Sequence, residues 1–477
     1  MTDQRVVAAV DLGASGGRVM AGLVGDTVAL EEVHRFPNAV VEEDGHLRWD
    51  IRALYDEVLV GLGELARRHP EVESVGIDTW AVDYGLLDRA GNLLGNPVSY
   101  RDDRTAAAVA SVHERIAPAE LYARNGLQFL PFNTIFQLEA ERAEARWAEA
   151  ARVVLLPDLL AYWLTGELAT EATNASTTGL VDVHTGDWSD ELLGVLDLPR
   201  AVLPPIQAPG TVRGAIRPDL REALGLRDDA VVTTVASHDT ASAVVGVPAL
   251  DPDVAYIASG TWSLVGLELD HPVTSAGARA ANFTNERGVD GTIRFLSNVG
   301  GLWLLQESMR SWGEEGLEVE LDALLRAAAD VPAGGPTIDV GDEGFIAPGT
   351  MPGRIALAAG DPTLADDPPR LARCVLESLA AAYAATLDGA SALADRAVSK
   401  VHVVGGGSQN GLLCQLTADS CGRPVTAGPV EATALGNVLV QARAIGAGPE
   451  TLDGLRQLGA RGADLRTYEP RSAEVRA

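Results

Sequence analysis

Short apolar stretches at the start of the chain alternate with polar, glycine-containing turns, and this pattern predicts strands. Apolar runs cover residues 6–10 and 19–23, and a third begins at Val28, so we predict three antiparallel strands joined by tight turns. Apolar residues at helical spacing then predict a helix from Ile51 to Arg68. The first turn lacks the G-x-G-x-x-G spacing and does not open into a helix, which disfavours a Rossmann fold.

A similar order of elements returns in the second half of the chain. Residues 253–268 again predict strand, turn and strand, and residues 401–410 form an apolar run that ends in a glycine-rich turn. Long helical patterns lie between them, around residues 302–311 and 370–393. We therefore predict an α/β protein of two similarly built halves, with residues 1–244 and 245–477 as its domains and the junction near residues 244–253.

The stretch from Val231 to Ala243 is the most suggestive of a functional site. A run of β-branched and small apolar residues ends in Ser-His-Asp-Thr, and the small residues that follow can start a helix. This order predicts that Asp239 stands at the end of a sheet and at the beginning of a helix, where a carboxylate can meet a ligand. Asp239 is equally explained as an ordinary helix cap. In either case a helix start should keep its pKa low.

Composition and charge narrow the classes of partner. The 477 residues carry a formal net charge of −30, which argues against a nucleic-acid or anionic-membrane partner. Asp11 and Arg18 interrupt the first apolar stretch, and no window approaches the ~20 apolar residues of a membrane span, so we predict a soluble, cytoplasmic protein. The three cysteines fit neither a zinc site nor a redox pair and are interpreted as reduced, structural thiols. Monomer and homodimer both remain open.

Lys400 is the only lysine in the chain, and no glycine-rich loop precedes it. A Walker-A loop and a protein kinase each need a lysine on the nucleotide phosphates, and a pyridoxal enzyme needs one for its Schiff base. The count disfavours all three classes. If this protein uses ATP, it does so with another fold.

Three glycine-rich turns follow predicted strands, at residues 13–17, 259–261 and 405–407. Bare backbone N–H groups in such turns can hold phosphates without many cations, although a single turn is equally explained as a hairpin. In so acidic a chain, these amides and Arg18 are the natural phosphate contacts. Asp11, just before the first turn, is either a turn residue or a carboxylate that holds Mg²⁺ directly or through water. His238 is interpreted as a hydrogen-bonding neighbour of Asp239. The other seven histidines show no metal-ligand spacing and are interpreted as structural.

Polar clusters crowd the loops of the first half. Asp78, Trp80 and Asp83 meet at one predicted strand end, and residues 126–134 (GLQFLPFNT) and 173–178 (TNASTT) combine amides and hydroxyls. Such clusters suit a small, neutral, hydroxyl-rich ligand, and simple turn chemistry explains each of them equally well.

Eleven stretches together resemble the FGGY family of sugar kinases, which includes glycerol, xylulose and rhamnulose kinases. They span residues 11–437 in family order: DLGASGGRVM, GIDTWAVDYGLLD, YRDDRT, GLQFLPFNT, TNASTT, ASHDTASAV, SGTWSL, NFTNE, GLWLLQE, VVGGGSQN and GPVEATALGN. The resemblance implies two actin-like (ribonuclease-H-like) domains flanking a central catalytic cleft. The first would bind sugar and hold the catalytic aspartate, the second would bind ATP, and Mg²⁺ would accompany the nucleotide.

Three of these motifs, IDTWAVD, QFLPFNT and SHDTASA, point to ATP-dependent phosphorylation of L-rhamnulose to L-rhamnulose 1-phosphate in L-rhamnose catabolism. On this match Asp239 is the general base. The implied ATP contacts are Ala14, Ser15, Gly16, Gly17, Arg18, Thr261, Gln306 and Gly406. The implied sugar contacts are Ala81, His238, Asp239, Thr240 and Asn298. Ala81 departs from the family pattern, which usually has glycine there, and its Cβ is expected to narrow the sugar pocket or shift its preference.

Three other functions are compatible with parts of this pattern. The same chemistry could act on another ketose, such as L-fuculose, L-xylulose or L-ribulose. A non-kinase actin-like ATPase would use the glycine-rich turns without an acceptor sugar, but it would give Asp239 and the polar loops no role. A sugar-sensing regulator lacks support because no basic DNA-binding segment is visible.

Overall fold

The computed structural model describes residues 4–471, which form two compact units. Within that range, the first unit comprises residues up to 250, 268–295 and 432–462, and the second comprises 251–267, 296–431 and the residues from 463 onwards. Among the described residues, no helix is long and apolar enough to cross a membrane.

The strands and helices follow one another in the mixed order expected of an α/β chain. The strands are β1 (Arg5–Gly13), β2 (Gly16–Val24), β3 (Val28–Pro37), β4 (Val40–Glu43), β5 (His46–Trp49), β6 (Ser74–Thr79), β7 (Tyr84–Leu87), β8 (Arg152–Leu155), β9 (Thr170–Glu171), β10 (Ile206–Gln207), β11 (Thr211–Ala215), β12 (Val231–Thr234), β13 (Val254–Ser259), β14 (Trp262–Leu269), β15 (Thr284–Arg287), β16 (Ile293–Gly300), β17 (Lys400–Val404), β18 (Val425–Ala427) and β19 (Arg466–Tyr468).

The α-helices are α1 (Ile51–Arg68), α2 (Ala106–Arg115), α3 (Pro118–Asn125), α4 (Thr134–Glu141), α5 (Leu156–Thr165), α6 (Ala172–Ala175), α7 (Asp190–Val195), α8 (Pro218–Leu224), α9 (Asp239–Val245), α10 (Ala276–Ala280), α11 (Trp303–Glu314), α12 (Leu321–Ala329), α13 (Met351–Ala358), α14 (Pro368–Ala394), α15 (Gly411–Cys421), α16 (Ala432–Ala444) and α17 (Leu452–Ala460). Short 3₁₀ helices cover Ala145–Glu149, Arg200–Val202, Val289–Gly291, Glu343–Phe345, Pro362–Asp366 and Gly406–Gln409.

Two large sheets share the same core topology. In the first unit the strand order is β3-β2-β1-β6-β12-β11, and the other large sheet has seven strands in the order β15-β16-β14-β13-β17-β18-β19. In both sheets the strand that opens the unit pairs antiparallel with the next strand and parallel with a later one, a second parallel pair follows, and an antiparallel strand completes the series. This repeat is the ribonuclease-H-like order, and it confirms the prediction of two similarly built α/β halves.

Helices cover both faces of the first sheet because the residues of its central strand are apolar on both sides. Along β1, Val6, Ala8 and Val10 pack with α1 and α5 in one hydrophobic cluster. Val7 and Ala9 point the other way, into a cluster with α9, α16 and α17. The antiparallel start of the chain and the helix over 51–68 are confirmed as predicted.

Candidate active site

Three parallel neighbouring strands of the first unit bring acidic residues to one end of its sheet. Asp11 on β1 lies in register with Asp78 on β6, and the N–H of Thr79 donates to the carbonyl of Ser237 (2.9 Å), just before Asp239. Carboxyl ends of parallel strands share one edge of a sheet, so these side chains face the same region. We call Asp11, Asp78 and Asp239 the strand-end cluster.

Asp239 is the first residue of α9, as the strand-then-helix pattern predicted. The N-cap position belongs to His238, whose side chain makes no capping bond, so Asp239 is not the N-cap residue itself. Its Oδ1 instead accepts from the N–H (2.6 Å) and the hydroxyl (3.1 Å) of Thr240. The side chain is 33% exposed, and within residues 4–471 its Oδ2 accepts no hydrogen bond.

The prediction of a low pKa for Asp239 is also wrong. Burial of the carboxylate raises the pKa of Asp239; His238 opposes this shift and the nearby charge of Asp11 adds to it. A helix start of two turns supplies too weak a field to offset the loss of water. Its environment therefore makes Asp239 a stronger base than an ordinary aspartate.

Asp78 is the member of the strand-end cluster to which sequence reasoning assigned no role. It is fully buried, and its Oδ2 accepts from Asn437 Nδ2 (2.6 Å) on α16, while its Oδ1 has no hydrogen-bond partner among the described residues. Burial, and after it the charge of Asp11, raises the pKa of Asp78 well above its usual value. Only proximity in the fold reveals this pairing, because 359 positions separate the two residues.

The first glycine-rich turn is the tight connection between β1 and β2. Gly13 pairs with Gly16, Ala14 and Ser15 form the turn, and Ser15 is exposed. Arg18 on β2 reaches back to Asp11, with Nη2 at 2.8 Å and Nε at 3.0 Å from Oδ2. The turn thus presents its backbone close to one partly buried ion pair.

Ala81 begins a strained turn that follows β6. The N–H of Asp83 donates to the carbonyl of Ala81 (2.9 Å), which gives a γ-turn centred on Val82 with φ of +67°. A β-branched residue rarely adopts this conformation, so the surroundings must enforce it. Asp83 supplies much of that enforcement by accepting from the indole N–H groups of Trp49 (2.6 Å) and Trp80 (3.0 Å).

His238 connects Asp239 to a buried ion pair. Its Nε2 lies 3.4 Å from Asp239 Oδ1, and its Nδ1 lies 3.0 Å from Arg294 Nη2 and 3.3 Å from Glu286 Oε2. Glu286 is on β15 and Arg294 on β16, both in residues that belong to the first unit. Glu286 lies in the NFTNE stretch, to which sequence reasoning assigned no role, and Arg294 lies in none of the quoted motifs.

In the second unit, two of the glycine-rich turns meet at the end of β13. Gly405 and Gly407 pack against Ser259 so closely that a Cβ at either position would overlap it. Thr261 lies in the turn that follows Ser259. Gly406 is exposed, with open space around its Cα.

The last two predicted contacts lie elsewhere in the second unit. Gln306 is exposed on α11, and Asn298 is half-buried on β16.

Family models match both halves of the chain. The N-terminal domain model of the FGGY family of carbohydrate kinases matches residues 6–246, and the C-terminal domain model matches residues 255–445. The chain belongs to the FGGY family of carbohydrate kinases. It is therefore a sugar kinase, as the motifs implied.

Curated relatives align along nearly the whole chain. A protein named rhamnulokinase from Bacteroides thetaiotaomicron is 42% identical over 468 residues, which cover 97% of this chain and 95% of that protein. A second rhamnulokinase, from Enterococcus faecalis, is 43% identical over 450 residues, which cover 93% and 90% of the two chains.

Solved sugar kinases share the fold. Gluconate kinase from Lactobacillus acidophilus superposes with a TM-score of 0.81 at 18% identity, covering 98% of this chain and 94% of that one. Xylulose kinase from Rhodospirillum rubrum gives 0.79 at 21% identity, covering 99% and 96%. This likeness confirms the predicted actin-like, two-domain α/β fold.

In this FGGY kinase, the polar clusters of the first unit serve the scaffold. The hydroxyls of residues 173–178 bond to their own segment: Thr173 to Glu171, and Ser176, Thr177 and Thr178 to backbone carbonyls. In the other cluster, Thr134 donates to the carbonyl of Val82 (2.7 Å) and so supports the strained turn. For these side chains, turn chemistry is the interpretation that the geometry favours over direct ligand contact.

Proposed function

We propose that this FGGY kinase transfers the γ-phosphoryl group of ATP to the 1-hydroxyl of L-rhamnulose, with Asp239 as the general base. The substrate rests on the relatives named rhamnulokinase, which align over more than nine-tenths of the chain. The role of Asp239 rests on one observation: Oδ1 is held by Thr240, while Oδ2 of this partly exposed carboxylate accepts no hydrogen bond from the described residues.

The proposed reaction needs no covalent bond between the protein and the transferred group, because phosphoryl transfer depends on positioning and charge stabilisation. The sugar hydroxyl donates its hydrogen bond to Asp239 Oδ2, attacks the γ-phosphorus as the bond to ADP breaks, and passes its proton to the carboxylate. A base is more effective as its pKa approaches the working pH. The raised pKa of Asp239 is therefore an advantage for accepting the proton.

The remaining roles are assigned from the family motifs, each within its own unit. In the first unit, which corresponds to the sugar-binding domain proposed for residues 1–244, the backbone of residues 14–18 contacts phosphate, and Ala81, His238 and Thr240 contact the sugar. In the second, corresponding to the ATP-binding domain proposed for residues 245–477, Thr261, Gln306 and Gly406 contact the nucleotide and Asn298 the sugar. Because the reaction consumes ATP, we place it in the cytoplasm.

The strand-end cluster fits a magnesium ion. Within residues 4–471 no group of three or more His, Cys, Asp or Glu side chains is arranged to hold a metal. Mg²⁺, however, commonly takes only one or two carboxylates and keeps water and phosphate as its other ligands. Asp11 would hold it through water, and the unpartnered Oδ1 of Asp78 offers a second carboxylate oxygen. When bound, the ion neutralises charge on the β- and γ-phosphates.

A panel of ketoses tests the proposal. L-rhamnulose, L-fuculose, L-xylulose and L-ribulose are each incubated with the enzyme and Mg·ATP, ADP release is followed by a coupled assay, and the product is examined by NMR. We expect the highest kcat/KM for L-rhamnulose and phosphate on its 1-oxygen. A higher value for another ketose would overturn the substrate assignment, and ADP release that ignores sugar would favour an ATPase without an acceptor.

Ala81→Gly belongs in the same panel. Restoring the usual family residue removes a Cβ beside the strained turn, and we expect it to change KM for the ketoses while leaving kcat within about threefold. An unchanged order of ketoses would show that Ala81 does not set the preference.

A further inference from the structure

A buried ion pair stands behind His238, on the side away from Asp239. Glu286 Oε2 lies 2.9 Å from Arg294 Nη2, and the two side chains are 8% and 0% exposed. Removing two charges from water is costly, and an ion pair of this kind contributes little net stability compared with apolar packing. Its retention beside the proposed base therefore calls for a role other than stability.

The guanidinium of Arg294 dictates which nitrogen of His238 carries a proton. Arginine has only donors, so the 3.0 Å hydrogen bond between Nη2 and Nδ1 of His238 makes Nδ1 the acceptor. Glu286 Oε2 lies 3.3 Å from the same nitrogen but makes no hydrogen bond with the described residues. The imidazole proton must then be on Nε2, the nitrogen that lies 3.4 Å from Asp239 Oδ1. Glu286 sits beside the same guanidinium nitrogen and compensates its charge. Burial opposes ionisation of Glu286, but the charge of Arg294 is the largest of the effects that outweigh burial and lower the pKa of that carboxyl.

With this tautomer, the donors near Asp239 among residues 4–471 meet the same carboxylate oxygen. The N–H and hydroxyl of Thr240 bond to Oδ1, and the Nε2–H of His238 points at it as well. The opposite tautomer would place a lone pair of His238 against Oδ1 and repel the carboxylate. The orientation of Asp239, and so the aim of Oδ2, depends on the proton that Arg294 assigns.

We propose that Arg294 and Glu286 are positioning residues which, through the Nε2–H tautomer of His238, aim Oδ2 of Asp239 at the acceptor hydroxyl. The inference rests on the proposed role of Asp239 as the general base. The inference makes turnover depend on Arg294 and Glu286, which act through His238 and not by contact with the sugar or the nucleotide.

Kinetics of Arg294 variants test this role. Arg294→Met removes the donor to Nδ1, and we expect kcat to fall about 10- to 100-fold, the cost of a misaimed group, with KM for ATP within about twofold. Arg294→Lys keeps one donor and should recover most of the lost turnover. Glu286→Gln, which removes the compensating charge but keeps a polar neighbour, should fall between the two.

Arg456→Met is the matched control. Arg456 is also buried and paired, with Glu268 at 2.6 Å, and it donates to the carbonyl of Val244 (3.2 Å) at the other end of α9. Its loss disturbs the same helix and should lower thermal stability, while kcat stays within about twofold. A loss of kcat as large as that of Arg294→Met would show that any buried arginine near α9 has this effect, and would overturn the proposal.

A double-mutant cycle separates positioning from general damage. In an Asp239→Asn background there is no base to orient, so adding Arg294→Met should lower kcat by less than about threefold. The same fold loss in both backgrounds would overturn the inference, as would normal turnover of Arg294→Met in the wild-type background. If Asp239→Asn itself keeps full turnover, the general-base assignment fails, and with it the role proposed for Arg294.

The tautomer can be read without sugar or nucleotide. Protein labelled with ¹⁵N-histidine contains eight histidines, and His238→Asn assigns the relevant signals. We expect a protonated Nε2 and a bare Nδ1 at His238, retention of that pattern in Arg294→Lys, and its loss in Arg294→Met. A protonated Nδ1 in the wild type would overturn the proposal even if the methionine variant fails to fold.

Discussion

Two buried acidic clusters of the first unit differ in how their carboxylates are satisfied. In the first, Glu171 accepts five hydrogen bonds, two of them from Ser237, and Asp158 accepts from Arg213 (2.8 Å) and from the N–H of Glu171 (3.2 Å). We call Asp158, Glu171 and Arg213 the supporting cluster. In the strand-end cluster, Asp78 leaves one oxygen without a partner among residues 4–471, and Asp239 does the same with Oδ2.

This difference separates scaffold from site. A carboxylate whose oxygens both accept hydrogen bonds from the protein has no free oxygen for a ligand. Glu171 is of this kind, and its hydrogen bonds hold the segment that carries Asp239. A buried carboxylate with an open oxygen is costly to keep, and such groups persist where a ligand, metal or substrate completes them. The comparison predicts that substitutions in the strand-end cluster alter turnover, and that substitutions in the supporting cluster alter the stability of the fold.

The largest effect is expected from Asp239→Asn. The amide cannot take the hydroxyl proton, so kcat should fall about 10²- to 10⁴-fold, the usual contribution of a general base. Because burial raises the pKa of Asp239, the ionised side chain does not stabilise the fold at neutral pH, and the variant should unfold no more easily than the wild type. Coupled ADP release and urea unfolding measure the two quantities. Near-normal turnover, or a clear loss of stability, would contradict the assignment of the strand-end cluster to the active site.

Arg213→Met should produce the opposite result. Arg213 and Asp158 are 3% and 2% exposed, so removing the cation leaves a buried carboxylate without its partner, at a cost of about 3–5 kcal/mol in unfolding free energy. Burial, opposed by Arg213, places the pKa of Asp158 at about 6, so the charge is present at neutral pH. Urea unfolding at pH 7.5 tests the loss, and kcat of the folded enzyme should stay within about threefold. A large loss of kcat without a loss of stability would assign this cluster to the site.

Much of the framework around these clusters is predictable from local sequence. The apolar runs of residues 6–10 and 19–23 and the helical spacing of 51–68 predict β1, β2 and α1, because each signal lies within one element. The run before Asp239 likewise predicts a strand and then a helix. These are short-range properties of the chain, and packing did not override them.

The partners within the clusters could not be predicted in the same way. Arg294 contacts His238 across 56 positions, and Asn437 contacts Asp78 across 359, so only the assembled sheet and its covering helices bring them together. The pKa of Asp239 was predicted with the wrong sign because the sequence shows its place at a helix start but not its burial. The hydroxyls of residues 173–178 have identical sequence signals whether they face a ligand or their own backbone.

Asp78→Asn is expected to have a smaller effect that connects stability with function. Removing a buried charge with an unbonded oxygen should raise the unfolding free energy by about 1–3 kcal/mol at pH 7. The folded-state pKa of Asp78 lies above its unfolded value, so the ionised form weakens the fold at neutral pH, and the gain should disappear in acid, where the carboxyl is protonated in both states. Unfolding at several pH values measures this gain, and a loss of stability at pH 7 would contradict the unsatisfied state of Asp78. The same variant should also need a higher Mg²⁺ concentration for half-maximal turnover.

The smallest expected effect is a shift in the pH dependence of turnover. Asp239 must be ionised to accept a proton, so kcat/KM should fall as pH drops through its raised pKa. His238 lowers that pKa against the effect of burial, and His238→Gln keeps a donor at the Nε2 position while removing the imidazole. The acid limb of the profile should therefore move to higher pH in His238→Gln. In Arg213→Met it should stay in place, because the supporting cluster supplies no charge that the proton transfer uses. A shift in both variants would mean that the two clusters titrate as one, whereas a shift in His238→Gln alone locates the catalytic ionisation at the strand-end cluster.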